Sequence, residues 1–356
     1  MAPFVKRFPQ YQRHMIWIGW VICLAGLAAG SFANTPVSLV LTQGVVYGSK
    51  WIPIREVQCL PYVVGYLIVF YPIISMINEW WIARRGFAWG IMLGASGASG
   101  VAYPFILEAL LEKYGHKTTL GALAIATAVL TAPLLPFFKG RLPPSHSSTL
   151  GRTNWTFVQK PLFWLYATST ISQSLGFYLP SLYLPSYASA TGLGPRTGAL
   201  LLAIMSIAQV LGQLTYGYLS DGRLSLNVLL LSSSMIAAVA SLTLWGLARS
   251  LAPLILFALV YGFFAYAYSA MRVRMGTAVS ADPNTALATF CVFSFFQGIG
   301  NVLAGPISGS LLGSVLDLGD YGHSRYKAMV IFTGCSMVAS VCAVALSCAR
   351  AVRTVA

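Results

Sequence analysis

Gly212–Leu224 reads G-Q-L-T-Y-G-Y-L-S-D-G-R-L, a polar turn set between two apolar runs, Thr197–Leu219 and Ser225–Leu247. At about 1.5 Å per helical residue, each run is long enough to cross the ~30 Å hydrocarbon of a bilayer. Asp221 and Arg223 are the only charges between Arg196 and Arg249. A lone carboxylate or guanidinium in hydrocarbon is costly, so the turn belongs at a membrane surface. There Asp221 is placed to cap the next helix, and Arg223 to reach lipid headgroups or the end of a neighbouring helix. Gly217 and Gly222 allow close helix approach and a tight turn.

The rest of the chain has the composition of a membrane protein. Hydrophobic residues make up 57% and charged residues 8% of the 356, against about 25% charged in a soluble domain. This is the composition of an all-α, polytopic bundle. The net charge of +14 does not indicate nucleic acid, because the basic residues are scattered through short interhelical segments. Cys23, Cys291, Cys335, Cys342 and Cys348 lie inside apolar runs, where a thiol behaves as a small hydrophobe. No Cys/His grouping has metal-ligand spacing, and no cofactor motif occurs. No catalytic constellation is visible, so an enzyme is not expected.

Ten spans are expected, four before a polar basic linker at Lys139–Lys160 and six after it. Those of the first half (15–138) are Met15–Ala33, Leu60–Ile77, Phe87–Leu107 and Thr118–Phe138. Those of the second half (161–349) are Leu162–Leu184, Thr197–Leu219, Ser225–Leu247, Leu251–Met271, Thr285–Gly313 and Ala328–Ala349. Met1–His14 and residues 350–356 are read as cytosolic tails. With the N-terminus inside, most of the 22 basic residues, among them Arg84, Arg85, Lys139, Arg141, Lys160, Arg272 and Arg274, fall on the inner side. That asymmetry places both termini and the linker in the cytoplasm, with the plasma membrane as the expected location. The sequon Asn154-Trp155-Thr156 then lies inside and carries no glycan.

Gly217–Arg223 resembles the G-x-L-[AS]-D-R loop signature of the major facilitator superfamily, with Gly222 where that family usually has Arg. Asn78–Ile91 (N-E-W-W-I-A-R-R-G-F-A-W-G-I), Arg274–Ser280 and Tyr321–Lys327 are similar to the fungal branch of its monocarboxylate-transporter-like members. The resemblance implies two halves of six helices joined by a cytosolic linker, and transport of a small organic acid, with or without a proton. Against that plan the first half lacks its first two helices. Gly94–Pro104 and Gly298–Pro306 echo one another two spans before the end of each half, as in a parallel repeat. Ser49–Val64 interrupts the pattern and reads as an insertion, such as unspliced coding sequence would supply.

Polar residues within spans mark a solute pathway or bridge helices. Gln209 and Gln213, and Gln297 and Asn301, pair at i, i+4; Tyr166 with Gln173, and Tyr261 with Tyr268, repeat at i, i+7. Together they are the candidate lining of a central solute site, beside the loop motif Gly217, Asp221 and Arg223. No ionisable side chain lies in the middle of an expected span; Arg272 and Arg274 fall at an inner end. The second half therefore offers no buried cation for a carboxylate, and a neutral solute fits equally well. Two functions stay open: a transporter of a small organic solute by alternating access, and a truncated, non-transporting sensor or assembly partner of the same fold.

Overall fold

Hydrocarbon offers the backbone no water, so an apolar chain must satisfy its N–H and C=O groups within helices. The computed structural model describes residues 12–31, 60–81, 84–138, 155–222, 224–280, 282–312, 321 and 325–355, nearly all of them helical. In order these are α1 (Gln12–Ser31), α2 (Leu60–Trp80), α3 (Arg85–Thr131), α4 (Pro161–Phe177), α5 (Leu179–Ala190), α6 (Pro195–Ser220), α7 (Leu226–Ala240), α8 (Leu251–Val279), α9 (Pro283–Leu312) and α10 (Lys327–Val355). Among the described residues, seven helices are long and apolar enough to cross a membrane. Arg223, residues 49–59 of the expected insertion and residues 139–154 of the linker lie outside the described residues. Residues 60–64 of that expected insertion are helical and form the start of α2.

By contacts the chain divides into two units, Met1–Ile82 with Phe105–Arg152, and Ala83–Pro104 with Thr153–Ala356. The start of α3 thus joins the unit formed by the later helices, although the sequence divides most naturally at the linker. In the first unit α1 crosses α2 at Gly19 and Gly65, where a Cβ on either would lie 2.8 Å from the other's carbonyl oxygen. Trp20 Nε1 donates to Thr131 Oγ1 at 2.7 Å, and Ile16, Met76 and Leu135 form a small core. Gly115, at φ 72°, makes the turn inside α3 expected between the third and fourth spans.

The second unit holds the larger core, in two aromatic clusters. One gathers Tyr187, Trp245, Phe257 and Tyr261, with Trp245 and Phe257 stacked 5.2 Å apart. The other gathers Phe157, Phe163, Tyr166, Tyr268 and Phe293, with Phe163 and Phe293 stacked at 5.4 Å. Helices α6 and α8 meet backbone to backbone: a Cβ on Gly212 would overlap the carbonyl of Phe263. Helix α7 ends in a π-helical turn, Ser241–Trp245, and the Tyr321 hydroxyl donates to the Leu242 carbonyl at 2.7 Å.

Two expectations need correction. The span read as Leu162–Leu184 is broken at Tyr178 into α4 and α5. Pro180 has no N–H to give the carbonyl four residues back, that of Gly176. The span read as ending at Met271 continues to Val279, so both arginines lie inside α8. The two charges made the run look finished, but apolar residues resume after them.

Candidate functional site

The loop motif joins helices far apart in sequence. Helix α6 ends at Ser220, and Asp221 turns its carboxylate onto the first turn of α3. One oxygen accepts the Gly86 N–H at 2.9 Å and the other the Phe87 N–H at 2.8 Å. These are donors that a helix start leaves unpaired, at the positive end of its dipole. Asp221 therefore caps α3, not the next helix; Ser225 heads α7 without a side-chain cap. The reason is close approach. A Cβ on Gly217 would lie 2.6 Å from the Gly86 carbonyl oxygen, and one on Gly90 2.5 Å from that of Gln213. The seam continues at Gly97 against Val210 and at Gly100 against Ser206, with Gln209 Nε2 donating to Ser96 Oγ at 3.3 Å. Trp89, buried at the same end of α3, packs edge-on against Phe290 at 4.7 Å.

Four candidate lining residues are buried and bonded within the bundle. Tyr166 donates to Asn227 Oδ1 at 2.7 Å, tying α4 to α7. Gln173 Nε2 donates to the Ala265 carbonyl at 3.3 Å. The Tyr261 hydroxyl reaches the carbonyls of Gly176 and Phe177, at 3.3 and 3.2 Å, beside the break that Pro180 makes. Tyr268 shares a hydrogen bond of 2.7 Å with Ser169, which shares another of 2.8 Å with Ser340 on α10.

Two of the other three, Gln213 and Gln297, meet one turn of α8, and the third, Asn301, lies a turn away on α9. Gln213 on α6 donates from Nε2 to Ser269 Oγ at 3.2 Å, and its buried Oε1 has no partner among the described residues. Ser269 in turn offers its carbonyl to Arg272 Nε at 3.4 Å. Arg272 Nη1 donates to Gln297 Oε1 on α9. Asn301, one turn further along the same face of α9, buries its Oδ1 without a partner among the described residues.

Arg272 is the residue that the sequence reading placed wrongly. It is 8% exposed and lies about two turns inside the end of α8. A helical side chain leans toward its helix N-terminus, and the bond to Ser269 carries the guanidinium that way, toward the middle of the span. Among the described residues it forms no ion pair. The signal available in sequence was the apolar run resuming from Met275 to Val279, together with Ser269 and Arg272 at i, i+3 on one face.

Chemically the cluster combines one buried cation, three amides and a hydroxyl contributed by three helices. A guanidinium has five N–H donors, and two are engaged here. The two buried, unpartnered amide oxygens add capacity to accept hydrogen bonds.

Helices of this length and apolarity, packed backbone to backbone around buried polar groups, define an all-helical, multi-pass integral membrane protein. The family model described as Major Facilitator Superfamily matches residues 63–305, and the chain belongs to that family. It is a family of transporters of small solutes, not of enzymes. The chain is 25% identical over 325 residues to MFS transporter asaE of Aspergillus flavus, covering 90% of this chain and 69% of that one. It is 26% identical over 313 residues to human monocarboxylate transporter 11, covering 84% and 62%. In fold it is similar to a bacterial homologue of the iron transporter ferroportin in its outward-facing state, with a TM-score of 0.61 at 13% identity over 96% of this chain and 85% of that one.

Proposed function

We propose that this facilitator carries a small organic anion, monocarboxylate-like in chemistry, by alternating access, with Arg272 as the group that receives the anionic head. The observation that carries the reading is a guanidinium buried within a candidate membrane span that forms no ion pair among the described residues. Burying an arginine without a counter-charge is costly, and an arriving anion offsets that cost through charge-assisted hydrogen bonds. Gln213 completes the solute-facing pair with Arg272, and Gln297 and Asn301 border it on α9. Tyr166, Gln173, Tyr261 and Tyr268 act as helix ties, and Gln209 belongs to the α3 seam. The likeness to a relative named a monocarboxylate transporter supports the same solute class. The positive-inside asymmetry supports cytoplasmic termini, and we place the protein in the plasma membrane.

The test is uptake of radiolabelled lactate and benzoate into proteoliposomes, with and without an inward proton gradient, with sorbitol as the neutral control. Saturable anion uptake that falls at least about tenfold in Arg272→Gln is expected, the loss of a charge-assisted bond being worth that much. Absence of uptake for all three solutes favours the non-transporting sensor. Sorbitol uptake indifferent to Arg272 overturns the anion.

A further inference from the structure

We infer that Gln297 is a built-in stand-in for the solute: its amide oxygen occupies the Arg272 guanidinium in the empty protein, and when an anion binds the side chain swings away and donates its NH₂ to Asn301 Oδ1. This rests on the reading of Arg272 as the anion's receptor. Gln297 is the side-chain acceptor that holds the guanidinium, and it comes from α9 while Arg272 comes from α8. The bond is thus a link between two helices that loading would exchange for a bond to the solute. A neutral amide binds a guanidinium less strongly than a carboxylate does, so an arriving carboxylate wins the contact. An arginine with a purely structural task is better served by Asp or Glu, and none pairs with it among the described residues.

The displaced amide has a place to go. Asn301 lies at i+4 from Gln297 on α9, and its buried Oδ1 has no partner among the described residues. Side-chain amides at this spacing hydrogen-bond along a helix. Gln297 bonded to Arg272 leaves the Asn301 oxygen unmet; Gln297 swung along α9 donates its NH₂ to that oxygen and vacates the guanidinium. The arrangement therefore has two positions, each with its own acceptor or donor already in place. The competing hydroxyl on α8, that of Tyr268, is engaged by Ser169. Loading the site then loosens α8 from α9 without leaving either amide unbonded.

The experiment measures benzoate binding to the full purified chain in detergent, by calorimetry, for the wild type, Arg272→Gln, Gln297→Glu, Gln297→Leu, Asn301→Leu and the double variant. Gln297→Glu ties a carboxylate permanently to the guanidinium and weakens binding at least about tenfold. Gln297→Leu removes the competitor, so binding is unchanged or tighter. Asn301→Leu weakens binding in the wild-type background and has no effect beside Gln297→Leu, a coupling that a merely structural amide does not produce. If the wild type binds no benzoate, or Arg272→Gln binds it equally well, the anion reading fails. If binding requires Arg272, the stand-in role alone is overturned by wild-type affinity in Gln297→Glu, by a tenfold loss in Gln297→Leu, or by additive effects of the Gln297 and Asn301 changes. Should Gln297→Glu not fold, the Leu pair and its double variant decide the matter.

Discussion

Tyr261 shows how one hydroxyl repairs a defect in its neighbour. Pro180 deprives α4 of a backbone donor, and the phenol bonds the Gly176 and Phe177 carbonyls beside the break from a fully buried position. Tyr261→Phe removes both of these bonds and should cost about 0.6–2 kcal/mol, read as a lower unfolding midpoint in detergent. Lactate uptake should persist, because the hydroxyl faces the helix break. Tyr321 gives a pH-dependent counterpart outside the spans. Burial, with Tyr187 and Cys335 nearby, pushes its phenol above the usual range. The folded state then holds this proton more tightly than the unfolded chain, so the contribution is complete below the ordinary value of about 10 and fades as pH rises above it. Tyr321→Phe should flatten the alkaline limb of the stability curve, measured as thermal midpoint against pH. At this scale little was legible in advance. The i, i+4 spacing singled out Gln213, Gln297 and Asn301 as candidates, but only packing separates their surroundings from those of the tyrosines that tie helices.

Elements were more readable, because apolar runs bounded by charge mark a bilayer crossing. Thr197–Leu219 and Ser225–Leu247 correspond to observed spans of Arg196–Ser220 and Leu226–Trp245. The readings failed where a local mark had a distant cause. Asp221 looks like a cap for the helix that follows it, yet its partners are the N–H groups of Gly86 and Phe87, and no spacing rule links residues so far apart. Asp221→Asn keeps one acceptor and loses the charge; it should weaken the α3 contact by about 1–2 kcal/mol. Faster labelling of a cysteine introduced at Phe87 would report it. Glycines give a paired prediction. Gly212→Ala drives a methyl into the Phe263 carbonyl and should lower the thermal midpoint. Gly309→Ala has open space in α9 and should be neutral or raise it, by up to about 1 kcal/mol from helix propensity.

For the whole molecule, an anion held by the proposed site would stabilise the folded state with the logarithm of its concentration over Kd. Benzoate at a hundred times its Kd should add about 2.7 kcal/mol to stability, and that gain should vanish in Arg272→Gln, measured as the shift in unfolding midpoint. Absence of a shift in the wild type would count against the anion site at once. The membrane class was plain from composition, since 8% charged residues cannot clothe a surface in water. The division of labour inside it was not, since it depends on which helix lies beside which. The seam between the start of α3 and α6 illustrates the point. Glycine and serine meet backbone there, so closing it freezes hardly any rotamers. Its closed-to-open ratio is then governed by contact enthalpy and lipid displacement, with little side-chain disorder released on parting. Warming the bilayer should accordingly disturb this joint less than one built from interdigitated leucines.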